Sequence, residues 1–305
     1  MPKTRTKEFD AVAISHHYDL SNEFYNLFLC ENMLYTCAYY REPEGCLDQA
    51  QRDKMDLVCR KLRLSPGEEY LDIGCGWGSL AIWAAKHYGV KATGVTLSRE
   101  QAEWGQAWVR REGLGDRCQI HHMDYRDLPE GQTYRKISAI GIIEHIGIEN
   151  YPSYFGRVRD RLRGGGLFLN HGITHEKYWK RSSQTDFLEK LVFPNGEMDN
   201  ITHILDVMEQ ERWEVLDVES LRLHYARTCH QWYENFENNA ELLKEIVGER
   251  TYRVYRLWLV CSAECFYAGY LGLYQVLAQK HEITREHGLP STREDIYIPF
   301  LKGGA

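Results

Sequence analysis

No C-x-x-C pair occurs in the 305 residues, although nine cysteines are present, at 30, 37, 46, 59, 75, 118, 229, 261 and 265. The odd count and wide scatter argue against a disulfide framework or a paired-cysteine zinc site, so a reduced intracellular, cytoplasmic protein is expected. The opening MPKTRTKEFD has no apolar stretch, and no secretory signal is read there. Positive charge is also short: the formal net charge is −7 and the pI about 6.0, the wrong sign for a generic nucleic-acid binder. A membrane span is lacking too. The longest apolar run, LWLVCSAECFYAGYLGLYQVLA at 257–278, contains Glu264, Gln275, Gly269 and Gly272. A mid-bilayer glutamate is costly, so the run is read as a helix ending near Gly269 and then a buried strand.

What is present is an ordinary core-forming composition, 43% hydrophobic and 27% charged, without internal repeats or low-complexity linkers. One elaborated domain over 1–305 is expected. SNEFYNLFL and residues 47–64 read as helices, the second with Met55, Val58, Cys59 and Leu62 on one stripe, and they make 1–64 an N-terminal helical cap. After the break at SPG, short apolar strands (EEYLDI, VKATGVTL, CQIHHM, KISAIGII, LFLNH) alternate with helices. Ser98 and Gln101 form a capping-box pattern, and Gly164–Gly166 are expected to end the helix PSYFGRVRDRL. Repeated β-α units imply an α/β fold with a mostly parallel sheet covered on both faces. Residues 65–171 form its core, 172–212 read as a polar, partly helical insertion, and 213–305 return to the core.

In YLDIGCGWGSL, Asp72, Gly74, Gly76 and Gly78 fall between the first strand and a helix. Ligands of open α/β sheets bind at the carboxyl ends of strands, where glycine lets the backbone come close. The spacing is G-x-G-x-G and no phosphate-loop Lys-Ser/Thr follows. An acid beside such a turn suits a cationic ligand with an amino acid moiety, and S-adenosylmethionine fits that description; a plain tight turn is the alternative. The second strand ends without the usual ribose-binding acid, leaving Thr96, Ser98 and Gln101 to supply polar contacts. After the third strand, Asp124 is placed to accept from an adenine amino group and Tyr125 to pack on its ring, unless Asp124 is simply a surface-turn acid.

IGIIEHIGIENY puts Glu144 at the mouth of what reads as the buried fourth strand, facing cofactor and acceptor. His171 follows LFLN, Tyr225 lies in RLHYARTCHQW and Cys37 in MLYTCAYY. Each has a structural alternative: a helix cap for Glu144, core packing for His171 and Tyr225, a small buried hydrophobe for Cys37. His145 is read as structural.

Together, HYDLSNEFYNLFL, MLYTCAYY, LDIGCGWGSLAIWAA, IIEHIGIENYPSYF, GGGLFLNHGIT, KLVFPNGEM and HYARTCHQWYENF resemble the cyclopropane fatty acid synthase family, which includes the mycolic acid cyclopropane synthases. The resemblance runs from about residue 16 to 280. It implies a class I methyltransferase (Rossmann-like) fold with a helical insertion over the active site, and S-adenosylmethionine and bicarbonate as cofactors. By position it implies that Glu144, His171 and Tyr225 hold bicarbonate with side chains, and Cys37 and Ile173 largely by backbone. Tyr35, Thr36, Gly74, Gly76, Thr96, Leu97, Ser98, Gln101, Asp124, Tyr125 and Ile140 would line the cofactor. The implied activity is methylene transfer to the double bond of an unsaturated acyl chain on a phospholipid or carrier.

Chemistry is consistent with that implication. An alkene has no acidic proton, so its π electrons must attack the sulfonium methyl and leave a carbocation. Such a cation needs a dry site and aromatic faces, which 20 Tyr, 10 Phe and 8 Trp can provide. A base must then remove a proton. Two positions depart from the family: Cys229 where leucine is usual and Tyr267 where arginine is common. A small-molecule C- or N-methyltransferase of the same family, acting on a small hydrophobic acceptor, is the competing enzyme reading, and a non-catalytic lipid- or cofactor-binding protein the reading from another class. Arg157, Arg159, Arg161 and Arg163 alternate and read as a solvated face, with peripheral contact to an anionic lipid surface as the alternative. Oligomeric state is left open.

Overall fold

Seven strands, each from a short apolar run, pair into one sheet in the order β3-β2-β1-β4-β5-β7-β6. In chain order these are β1 (Glu69–Ile73), β2 (Lys91–Thr96), β3 (Cys118–His122), β4 (Tyr134–Ile140), β5 (Leu162–His175), β6 (Trp213–Ser220) and β7 (Leu271–Lys280). The first five run parallel, while β7 lies antiparallel between β5 and β6. This computed structural model describes residues 20–180, 196–281 and 289–301. The N-terminal tail, residues 181–195 of the expected insertion and most of the KLVFPNGEM motif lie outside them.

Helices cover both faces because each carries an apolar stripe. One face of the sheet buries α1 (Asn22–Asn26), α2 (Leu47–Lys61), α3 (Ser79–Tyr88), α4 (Arg99–Arg111), α8 (Arg222–Asn238) and α9 (Ala240–Ala268). The other buries α6 (Tyr151–Arg161) and α7 (Ile201–Gln210), and α5 (Ile143–Ile146) is a single turn at the end of β4. A last helix, α10, spans Glu294–Leu301. The apolar run at 257–278 resolves as expected: α9 stops at Gly269 and β7 follows. No helix among the described residues is long and apolar enough to cross a membrane.

Four sequence expectations need correction. The strand read through IGII ends at Ile140. Gly141, at φ +70°, turns the chain, so Glu144 sits on the one-turn α5 and not on a strand. Gly164–Gly166 do not terminate α6. The chain passes from Arg161 directly into β5, and the glycines form an irregularity there: the step from Tyr134 to Lys136 on β4 faces Leu162 to Leu167 on β5. A Cβ on Gly166 would lie 2.7 Å from the Arg135 carbonyl oxygen, which explains the residue type. β5 also runs on to His175, past the expected start of the insertion. The capping box is half made. Ser98 Oγ accepts from the Gln101 N–H at 3.3 Å, but the Gln101 side chain accepts from Thr96 Oγ1 at 2.7 Å instead of returning to Ser98.

The four arginines have different partners, Arg157 Nε donating to Ser153 Oγ at 3.4 Å. Arg159 and Arg161 donate to the carbonyls of Glu211 and Leu128, each at 2.7 Å, and Arg163, already in β5, pairs with Glu69 at 3.1 Å. All nine cysteines are free thiols.

Helix α4 crosses the glycine turn closely: a Cβ on Gly105 would meet the Trp77 carbonyl oxygen at 2.9 Å and Ile120 at 3.1 Å. Gly105→Ala is therefore expected to forgo the ~1 kcal/mol that alanine normally adds in a helix interior, and Gly105→Val to destabilise by about 1–3 kcal/mol. Thermal denaturation of both variants beside the wild type checks this.

Candidate functional site

A cavity of about 1200 Å³ opens at the carboxyl ends of β1, β4 and β5. It exceeds the roughly 300–1,000 Å³ of a single drug-sized site, so there is room for two ligands side by side. It straddles the point where the chain, having built β2 and β3 to one side of β1, returns to build β4 on the other. Such a reversal opens a crevice above the sheet. Of the residues expected to serve a site, Tyr35, Thr36, Cys37, Asp72, Gly74, Gly76, Thr96, Leu97, Gln101, Asp124, Tyr125, Ile140, Glu144, His171, Ile173 and Tyr225 all line it. Ser98 does not; it caps α4 from behind the wall.

The glycine turn forms one end. Gly74, Gly76 and Gly78 all have positive φ. A Cβ on Gly74 would stand 1.9 Å from Ile142 Cδ1, whereas one on Gly76 would meet nothing within 4 Å and so project into open cavity. The N-terminal cap is tied to this turn by Trp77 Nε1, which donates to Asn22 Oδ1 at 2.6 Å, and by Ser79 Oγ, which donates to the Asn32 carbonyl. Asp72 accepts from Ser138 Oγ at 2.6 Å, and Ser138 in turn lies 2.6 Å from the Tyr70 hydroxyl. Burial pushes the Asp72 carboxyl up to about 7 against the pull of Ser138 and Lys54. Asp124, expected to meet an adenine amino group, is already engaged. Oδ1 accepts from the Arg126 N–H (2.8 Å) and Nε (2.9 Å), and Oδ2 from Nη2 (2.6 Å). An amino group arriving there would share those oxygens with Arg126.

At the other end lies the second polar group. Glu144 is 7% exposed; its Oε1 accepts from the Ile173 N–H at 2.6 Å, while Oε2 is buried without a partner. Burial pushes its carboxyl up to about 7, with the Ile173 N–H pulling the other way. The ring of His171 is fully buried; Nδ1 faces the Gln275 amide nitrogen at 3.1 Å and Nε2 has no partner. With Gln275 donating, Nδ1 accepts and Nε2 carries the proton. Desolvation holds this imidazole well below its ordinary pKa, so it is neutral. Cys37 is a buried thiol pushed far up by desolvation, which argues against a thiolate nucleophile at neutral pH.

Aromatic and small side chains form the remaining wall. Tyr225, in the first turn of α8, packs against Phe266 with ring centroids 4.7 Å apart. Cys229, one turn on, also faces the cavity, whereas Tyr267 points outward at 49% exposure. Of the two departures from the family pattern, then, the first alters the cavity and the second the surface. His145, read as structural, lines the cavity as well. Sequence reasoning also missed Lys54 and Gln275. The signal for Lys54 was available: it falls on the buried stripe of α2, at helical spacing from Ala50 and Val58. Gln275 carried no such mark, since a polar residue in a strand normally faces solvent.

The comparisons with known proteins agree with this geometry. The family described as mycolic acid cyclopropane synthetase matches residues 5–276. A probable fatty acid methyltransferase of Pseudomonas putida is 45% identical over 97% of this chain and 76% of its own length. A sphingolipid C9-methyltransferase A of Emericella nidulans is 32% identical over 96% of this chain, which spans 60% of that protein. The chain spans 54% of a sphingolipid C9-methyltransferase 1 of Gibberella zeae, little more than half of that protein. A crystal structure of mycolic acid cyclopropane synthase CmaA1, complexed with SAH and CTAB, superposes with a TM-score of 0.84 at 31% identity, covering 88% of this chain and 98% of that one. The sheet order, the glycine turn at its switch point and the match over nearly the whole sequence make this chain a member of the mycolic acid cyclopropane synthetase family, S-adenosylmethionine-dependent methyltransferases of the class I fold.

Proposed function

We propose that the protein transfers a methyl group from S-adenosylmethionine to a double-bond carbon of an unsaturated fatty acyl chain, and that a bound bicarbonate assists closure to a cyclopropane. The observation that carries this reading is the pair of buried, unpartnered atoms Glu144 Oε2 and His171 Nε2 on the wall of one cavity. One is an acceptor when ionised and the other a donor, the complement of a small oxyacid anion that has both a hydroxyl and charged oxygens. The related CmaA1 structure holds CTAB together with SAH, and this and the relative named as a probable fatty acid methyltransferase support an acyl acceptor.

When bound, S-adenosylmethionine supplies an electrophilic methyl and bicarbonate a base. An alkene whose π pair took that methyl, leaving a neutral thioether behind, would carry the positive charge on its other carbon. Phe266, Trp258 and Tyr225 line the cavity and present ring faces or edges in place of water. Glu144 would orient the base through Oε2, with the Ile173 N–H holding Oε1. His171 Nε2–H and Tyr225 would bind its oxygens, and the Cys37 segment would close the site with backbone, the Ile173 N–H being already given to Glu144. Loss of a proton from the transferred methyl lets that C–H pair form the third ring bond.

The cofactor placement is tested at Gly76. A valine there would extend into the open cavity. Gly76→Val is expected to weaken S-adenosylmethionine binding by at least about tenfold, read by calorimetry on protein whose circular dichroism is unchanged. Unchanged affinity would remove the glycine turn from the cofactor site.

Glu144 is tested by activity and by pH. Its carboxyl holds a proton more tightly in the folded protein than in the unfolded chain. The resulting stabilisation is complete below the ordinary value of 4.5 and is lost as pH rises through about 7. Glu144→Gln, which cannot ionise, is expected to gain stability over the wild type at pH 8, on the order of 3 kcal/mol, and little near pH 4.5. Turnover should fall by about 100-fold or more while cofactor affinity is kept. Denaturant melts at the two pH values and single-turnover rates read these effects. A variant as active as wild type would reduce Glu144 to a structural contact.

The product is tested by proton NMR of lipids from expressing cells. A shielded cyclopropyl signal is expected, and turnover should drop in bicarbonate-depleted buffer. Proton loss from a neighbouring carbon would give a methyl-branched alkene instead, and the relatives named as methyltransferases lend that outcome weight. Vinylic methyl signals alone would replace cyclopropanation by methylation, and modification of an amine alone would overturn the acyl reading.

A further inference from the structure

Lys54 has no task in the proposed reaction, yet it is among the most buried charges of the fold. It is 1% exposed, on α2, and reaches the cavity wall, where its ammonium donates to Thr36 Oγ1 at 3.0 Å. Among the described residues no carboxylate lies within ion-pair distance of it. Lys61, two turns further along the same helix, is the instructive contrast: equally buried, it pairs with Glu219 and lies 3.8 Å from Asp217. A buried ammonium without a counter-ion costs several kcal/mol, so such groups are retained where something anionic comes to them.

Its surroundings limit what that is. The thiols nearest in charge terms, those of Cys30, Cys37 and Cys59, are all pushed upward by burial and remain neutral. Asp72 is the carboxylate that feels Lys54, but it is held by Ser138 and is not in contact with the ammonium. An acid and a base, Asp72 and Lys54, therefore line the cavity buried and with no salt bridge between them, and Lys54 also bears on the ring of His171, disfavouring its charged form. An α-amino acid group carries the mirror arrangement, a carboxylate and an ammonium on one carbon.

We propose that Lys54 is the counter-ion for the α-carboxylate of the cofactor's methionine moiety, with Asp72 facing its α-ammonium and Thr36 Oγ1 holding Lys54 in place. The proposal rests on the S-adenosylmethionine reading above. It makes Lys54 a specificity residue: a nucleoside without the carboxylate would leave the ammonium as exposed to cost as it is without ligand.

Calorimetry with three ligands tests it: S-adenosylhomocysteine, its α-carboxamide and 5′-methylthioadenosine. The wild type should bind the acid about 10- to 100-fold more tightly than the carboxamide, the range of one charge-assisted hydrogen bond. Lys54→Met, of similar length and apolar, should lose that preference and keep its affinity for 5′-methylthioadenosine. Lys54→Gln, which preserves a donor toward Thr36, should lose the preference too and serves if the methionine variant does not fold. Equal wild-type affinity for acid and carboxamide overturns the proposal, as does a preference undiminished in a folded variant. Equal weakening of all three ligands by both variants also overturns it, assigning Lys54 a purely structural part. A wild type that binds none of the three would instead bring down the cofactor reading itself.

Discussion

The floor of the cavity depends on how closely two turns approach each other: the one after β1 and the one after β4. Gly74 backs onto Ile142 so tightly that no side chain fits between them. That contact fixes where α5 starts, and α5 carries Glu144. The same interlocking repeats one strand over, where a Cβ on Gly172 would come within 2.3 Å of Ile143. α5 is thus wedged between the ends of β1 and β5, and Glu144 reaches the Ile173 N–H because both neighbouring strands yield room through glycine. The cofactor end and the base end share this wedge.

Much of this was legible in the sequence, for physical reasons that differ by element. Strands buried on both faces read as continuous apolar runs, and the glycine turn, β7 and the break at Gly269 were all placed on such patterns. The irregular start of β5 was not. Glycines after a helix look like a stop signal whether they end it or form a bulge, and only the neighbouring Arg135 carbonyl distinguishes the two cases. The end of β4 was misplaced for a similar reason: IGII is equally apolar as strand or as the first turn of a helix, and a single positive φ at Gly141 decides. Residues expected at the site from their place after or late in a strand, such as Asp72 and His171, do line the cavity. Lys54 and Gln275 lie within regular elements, on faces whose burial only tertiary packing reveals, although the α2 stripe held a clue to the lysine.

The site concentrates groups that burial drives away from their charged forms. Asp72 and Glu144 are both raised to about 7, and His171 is held neutral. These shifts share one cause, desolvation, and they describe a cavity whose polar groups are prepared for partners of specific charge. Such preparation lowers stability in the absence of ligand, and the surrounding aromatic core offsets it: Phe24 meets Phe28, Phe236 and Tyr255 edge-on, and Phe28 meets Phe236 in the same way.

One short peptide carries a further consequence. Thr36 is fixed to α2, its carbonyl accepting from Gln51 at 2.8 Å, while the next segment is fixed to α8, the Ala38 N–H donating to Thr228 Oγ1 at 3.0 Å. Thr36 and Cys37 are adjacent, and both face the cavity. Because hydrogen bonds within the protein hold both flanks, this strip of wall is set in shape before either end of the cavity is filled, and a ligand meeting it need not first order it.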